Sequence, residues 1–85
     1  MASESSMIDF RQWLISEKNF TMRSSKDVLS RTRRAMKMIR ITSKSSRDKA
    51  VFELAQNDEF KAASTFIRSQ LKRSVTLYLS FLQAT

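Results

Sequence analysis

Apolar residues recur along this chain at intervals of three and four, and serines and threonines gather where each such stretch begins. That period belongs to α-helices with one buried face. The first stretch runs from Ser6 to Lys18 and brings Phe10, Trp13 and Leu14 to one side. Ser6 is its expected cap, with Asp9 three residues on, close to a capping box. Residues 1–5 read as a loose polar start. Lys18 to Arg23 reads as a turn, in which Asn19 is the residue best suited to a left-handed backbone. A second helix is predicted from Ser25 to Ile39 or Ile41, capped by Ser24 with Asp27 at its third position. Its Val28, Ala35 and Ile39 share one side, flanked by Leu29 and Met36. Lys26, Arg33, Lys37 and Arg40 fall roughly opposite, at spacings of seven, four and three. One face of this helix is greasy and the other is basic.

Thr42 to Ser46 is a polar loop. Ser46 is placed to cap a short third helix from Arg47 to Ala55, with Val51, Phe52 and Leu54 as its apolar contacts. Asn57 and Asp58 break or restart the chain, and a single helical turn over residues 59–63 holds Phe60 inward. The last helix starts after Ser64 and continues to about Leu82. Ile67, Leu71, Val75, Tyr78 and Leu82 form its stripe, broadened by Phe66, Leu77, Leu79 and Phe81. An end this apolar is either buried in the domain or open to a partner. Phe10, Trp13, Phe52, Phe60, Phe66, Tyr78 and Phe81 are all expected in the core, Tyr78 with a wet hydroxyl. Nothing reads as a strand. The fold class is all-α, one domain built as a compact bundle of four to five short helices.

Composition narrows the chemistry. The 85 residues include no Gly, Pro, Cys or His. Phosphate loops, dinucleotide turns and nucleophile elbows need glycine where backbone meets ligand. Zinc and haem sites need Cys or His, and disulfides need Cys. No metal and no cofactor is therefore expected. A Ser-His-Asp or Cys-His arrangement is excluded. Asp48, Asp58 and Glu59 sit at helix starts, where carboxylates favour the positive dipole end, so capping is their expected role. Tyr78 has no assisting cluster, so the chain is read as not an enzyme. The apolar runs are too short to span a bilayer. The N-terminus lacks a signal-peptide pattern, which leaves the cytoplasm as the expected location.

Charge adds a direction. The chain carries 16 Lys and Arg against 8 Asp and Glu, for a net charge of +8. Arg23, Lys26, Arg31, Arg33, Arg34, Lys37, Arg40, Lys44, Arg47 and Lys49 lie in one third of it with only Asp27 and Asp48, so that third carries the whole excess. A basic footprint confined to one segment suits a polyanion. A helix fits the DNA major groove, where Arg and Lys meet phosphates and guanine edges. Ser30 and Thr32 add hydroxyl donors. RNA is less favoured, because single-strand readers expose aromatic platforms and these aromatics lie on apolar stripes. A membrane surface is disfavoured too, since the apolar residues point away from the basic face.

Three segments together carry a resemblance. Phe10-x-x-Trp13-Leu14 opens the first helix. Thr21-Met22-Arg23-Ser24-Ser25 leads into Asp27-Val28-x-Ser30-Arg31 on the second. Gln70-Leu71-Lys72-Arg73-Ser74-Val75-x-Leu77-Tyr78-Leu79-x-Phe81-Leu82 closes the chain. From Ile8 to Leu82 the pattern resembles the N-terminal core-binding domain of tyrosine recombinases, the phage integrases, also called the integrase SAM-like domain. The resemblance implies a helical domain that grips one side of duplex DNA while a separate catalytic domain grips the other. It carries DNA contact to Arg31, Arg33, Arg34 and Lys37 on the second helix and to Arg23, Lys26, Arg40 and Lys44 near its ends. On the final helix it adds Lys72, with Arg68 and Arg73 as further candidates. The family's Arg-His-Arg-Tyr chemistry has no counterpart here, so strand cleavage does not carry over. The expectation is a non-catalytic DNA-binding domain of a bacterial, archaeal or phage-infected cell. Its expected partners are duplex DNA, with a homodimer or a missing catalytic domain as further candidates. The rival expectation is a small regulatory module that binds protein through the apolar C-terminal helix.

Overall fold

Short polar side chains open four helices. Thr21, Ser46 and Asn57 hold extended backbone and accept a hydrogen bond from the amide three residues on, at Ser24, Lys49 and Phe60. The Ser64 hydroxyl does the same for the Ile67 amide at 3.2 Å. Each satisfies one of the amides that a helix start leaves without a partner. The computed structural model describes residues 4–42 and 44–84, and side chains from Met7 onward. In it the helices are α1 (Glu4–Lys18), α2 (Met22–Met38), α3 (Arg47–Gln56), α4 (Asp58–Ala62) and α5 (Thr65–Ala84). No strand occurs among the described residues, and the chain is an all-α bundle. Ser6 does not cap this helix: it lies inside α1, which starts two residues before it, and of the expected loose start only residues 1–3 lie outside what is described. Glu4 and Ser5 are already helical.

The turn after α1 follows the residue without a glycine. Asn19 has φ 58°, the left-handed region, and Phe20 donates its amide to the Leu14 carbonyl at 3.1 Å. The chain then enters α2 sooner than the sequence suggested. Thr21, not Ser24, is the cap, and Ser24 is the donor to it at 3.0 Å. The far end of α2 is also earlier, at Met38. Ile39 is extended, and its amide closes the helix on the Ala35 carbonyl at 3.0 Å. A helix continued to Ile41 would turn that side chain toward the basic face. Extended backbone alternates sides instead. Ile39 and Ile41 both pack inward and Arg40 points out between them. Asn57 fixes this arrangement from across the bundle. It ends α3, starts α4, and donates its side-chain amide to the Met38 carbonyl at 3.3 Å.

Two clusters make the core, and α2 and α5 run through both. Met7, Phe10 and Leu14 of α1 meet Val28 and Leu29 of α2 and Tyr78 and Phe81 of α5. At the other end Ala35 of α2 meets Ala50 and Leu54 of α3, Phe60 of α4 and Leu71, Val75 and Leu79 of α5. The start of α2 thus pairs with the end of α5, so the two helices run antiparallel. Phe10 lies edge-on to Tyr78 at 5.1 Å and tilted to Phe81 at 5.3 Å, separations at which aromatic pairs attract. The buried face of α2 includes two polar residues that periodicity alone had not marked. The Ser25 and Thr32 hydroxyls are consumed by the Met22 and Val28 carbonyls at 2.7 and 2.8 Å. Side chains this short let α5 lie close.

Two aromatics depart from the expected core. Phe52 and Phe66 are 65% and 63% exposed. Phe52 lies two residues from Leu54, on the far side of a short helix whose inner face is Ala50 and Leu54. Phe66 sits in the first turn of α5 on its outer side, while Ile67 beside it packs on the second core cluster. The opposite holds for α5's apolar end. Leu71, Val75, Tyr78, Leu79 and Phe81 are buried, so its face is spent inside the bundle.

Candidate nucleic-acid interface

The earlier start of α2 extends its charged face. At about 100° per residue, Arg23, Lys26, Ser30, Arg33 and Lys37 fall within roughly a quarter-turn of one another. All five are exposed, while Val28, Thr32 and Ala35 on the opposite side are buried. Arg23 was expected near the helix end and instead belongs to this face. The four cations from Arg23 to Lys37 span about 21 Å of helix axis at 1.5 Å per residue. Arg31 falls on the flank and is half-buried, as is expected of a long side chain lying along apolar surface. Thr32, expected as a phosphate donor, is buried and its hydroxyl is taken.

The remaining predicted positions lie elsewhere. Arg34 pairs with Glu59 of α4 at 3.3 Å, and Lys72 of α5 places its ammonium 5.9 Å from the centre of the Phe60 ring. Both therefore lean on α4. Arg68 bonds Thr65 at 3.1 Å, and Arg73 lies 5.6 Å from the Phe20 ring centre. The cations of α5 are thus engaged with Thr65, Phe60 and Phe20. Arg40 leaves that face altogether. With α2 ended at Met38, Arg40 lies in the extended connection together with Lys44.

That connection borders a cleft of about 280 Å³ against α3, lined by Arg40, Thr42, Lys44, Ser45, Lys49, Ala50 and Glu53. A wider cleft of about 590 Å³, lined from Met36 to Thr42, lies along the same segment. The smaller one gathers three cations across a connection that is not helical. Lys49, Thr42, Ser45 and Glu53 were not singled out from sequence as site residues. The only signal for Lys49 was its membership of the basic stretch.

Comparison with family models, curated proteins and solved structures found no match to this chain. The chemistry must be read from the residues alone. No group of three metal-ligating side chains occurs among the described residues. No described helix is long and apolar enough to cross a membrane. Asp48, Asp58 and Glu59 occupy first helical turns, the place where a carboxylate complements the helix dipole. Burial pushes the Tyr78 hydroxyl above its ordinary pKa of 10.0, away from the ionised form a nucleophile requires.

Proposed function

We propose that this chain is a non-catalytic DNA-binding domain, similar in role to the core-binding domain of tyrosine recombinases, that holds duplex DNA along the exposed face of α2. One observation carries the reading. Arg23, Lys26, Arg33 and Lys37 line one exposed face of a helix whose other face is fixed in the core. The backbone of such a row is positioned by the fold, so meeting phosphates orders only the side chains. Cations at phosphates supply affinity and register, and Ser30 within the row supplies a short donor.

The test is duplex binding across salt concentrations. Four phosphates neutralised by this face give a slope of log affinity against log salt of about −3.6, which is roughly a hundredfold loss between 50 and 200 mM. Lys26→Ala with Lys37→Ala should cut the slope by nearly half and leave the helical signal intact, since both side chains are exposed. Absence of binding at low salt, or a flat salt response, refutes the proposal. The rival reading, a protein partner on the apolar C-terminal helix, finds only the exposed Phe66 on α5, because Leu71, Val75, Tyr78, Leu79 and Phe81 are buried in the bundle. Light scattering distinguishes the two, because a salt-resistant dimer without DNA affinity is the rival's outcome.

A further inference from the structure

We infer that the cleft between the α2–α3 connection and α3 is a seat for a single phosphate group, separate from the α2 face. Under the DNA-binding reading, on which this assignment of its ligand rests, the phosphate is one of the duplex backbone. Arg40, Lys44 and Lys49 approach the cleft from three places in the chain, and Glu53 is the one carboxylate among its lining. All three cations are exposed, and none forms an ion pair among the described residues. The charge they bring together therefore exceeds what the protein offsets locally.

Hydroxyls complete the site. Thr42 and Ser45 lie 3.3 Å apart, oxygen to oxygen. The Ser45 hydroxyl accepts the Thr42 amide at 3.0 Å, and the Thr42 hydroxyl accepts the Lys44 amide at 3.3 Å. Each oxygen is thus held by backbone. One hydroxyl donates to the other, and the second keeps its proton for an anion. The two short side chains stiffen the connection and offer a donor beside the cations. Of the first turn of α3, Arg47 and Asp48 do not line the cleft and Lys49 and Ala50 do, and the Lys49 amide is already taken by the Ser46 hydroxyl, so the cations and hydroxyls of side chains carry this site.

The lining of the cleft selects the ligand class. No aromatic ring lines it, so it offers nothing on which a base would stack. A tetrahedral anion bearing several acceptor oxygens matches three cations and a hydroxyl.

The experiment is a set of amide-resolved NMR titrations of the full chain, with inorganic phosphate and separately with a short DNA duplex, each controlled by chloride at equal ionic strength. Phosphate should shift the Lys44, Ser45, Lys49 and Ala50 amides saturably and leave those of α2 from Arg23 to Lys37 in place. Duplex should shift both sets. Lys44→Ala with Lys49→Ala should abolish the phosphate response, weaken duplex binding roughly tenfold, and reduce the salt slope by about 0.9, one phosphate. Glu53→Gln should tighten phosphate binding about two- to fivefold. If duplex fails to bind while phosphate still saturates the cleft, the site stands with a free phosphate as its ligand and the DNA-binding reading falls. If duplex binds through α2 while the Lys44 and Lys49 substitutions leave affinity and slope unchanged, the inference is overturned. It is also overturned if phosphate shifts spread evenly over all basic residues.

Discussion

Replacing Asn19 measures how a chain without glycine makes a left-handed turn. Asn19 is the one non-glycine residue with positive φ among those described, at 58°. The turn it makes lets Phe20 bond the Leu14 carbonyl and pack on the first core cluster. For a residue with a Cβ the left-handed conformation costs about 1–2 kcal/mol, and asparagine recovers part of that through local hydrogen bonds of its side chain. Asn19→Ala keeps the Cβ and loses the recovery, a destabilisation of about 1 kcal/mol. For a domain of this size that lowers Tm by roughly 4–8 °C. Asn19→Val adds a branch at Cβ, for which positive φ is an outlier, and should cost about 2 kcal/mol. Asn19→Gly removes the steric cost but gives the unfolded chain freedom worth roughly 0.5–1 kcal/mol. Those two effects nearly cancel. The expected order of stability is Gly close to Asn, then Ala, then Val. Thermal melts followed by far-UV circular dichroism read it directly. An alanine variant that melts with the wild type, or a glycine variant below alanine, refutes this account of the turn.

Three further outcomes follow from the packing. Tyr78 ionises in the unfolded chain at a lower pH than in the folded one, where burial holds the hydroxyl protonated. The unfolded state therefore binds fewer protons above pH 10, and stability that is complete below 10.0 is lost as pH rises. Urea midpoints from about pH 8 to 11 should fall more steeply in wild type than in Tyr78→Phe. Thr32→Val should be neutral within about 0.5 kcal/mol or slightly stabilising, because the Val28 carbonyl keeps its helical amide when the hydroxyl is replaced by a methyl. A loss beyond about 1.5 kcal/mol on denaturant titration would reveal a further role for the hydroxyl. The Arg34–Glu59 pair, with side chains 46% and 63% exposed, should show a coupling below about 1 kcal/mol in a double-mutant cycle.

The helices were legible because periodicity survives errors in their ends. Moving the start of α2 from Ser25 to Met22 changes its cap but not the angular relation of Val28, Ala35, Lys26 and Lys37. Competing caps are what blurred the ends. Thr21 and Ser24 both suit the start of a helix, and only the left-handed turn at Asn19 decides for Thr21. Burial was legible where a stripe had a partner helix, as for Leu71 and Val75. It failed for Phe52 and Phe66, whose type suggests the core although their positions on α3 and α5 face outward. Ser25 and Thr32 were not expected in the core, Thr32 being read as a surface hydroxyl donor, for the converse reason. Their hydroxyls are satisfied inside their own helix, which lets a polar residue behave as a small apolar one. The basic face was a matter of angle and could be read, whereas the cleft joins Arg40, Lys44 and Lys49 across a connection that has no period.

The end of α2 decides which surface Arg40 serves, and magnitudes explain where it falls. Continuing the helix through Ile41 would add a few backbone hydrogen bonds, each worth a net ~0.5–1.5 kcal/mol. It would also swing Ile41 onto the charged side. Full burial of an isoleucine is worth about 1.5–3 kcal/mol, and Ile41 is partly buried against both core clusters. That term alone only matches the helical one. Asn57 tips the balance, because its bond to the Met38 carbonyl satisfies an acceptor that a helix end otherwise leaves open. Isoleucine's branching favours the extended form further. The same two side chains that complete the core thus turn Arg40 from the row on α2 to the cleft beside α3. There it lines the same cleft as Lys44 and Lys49.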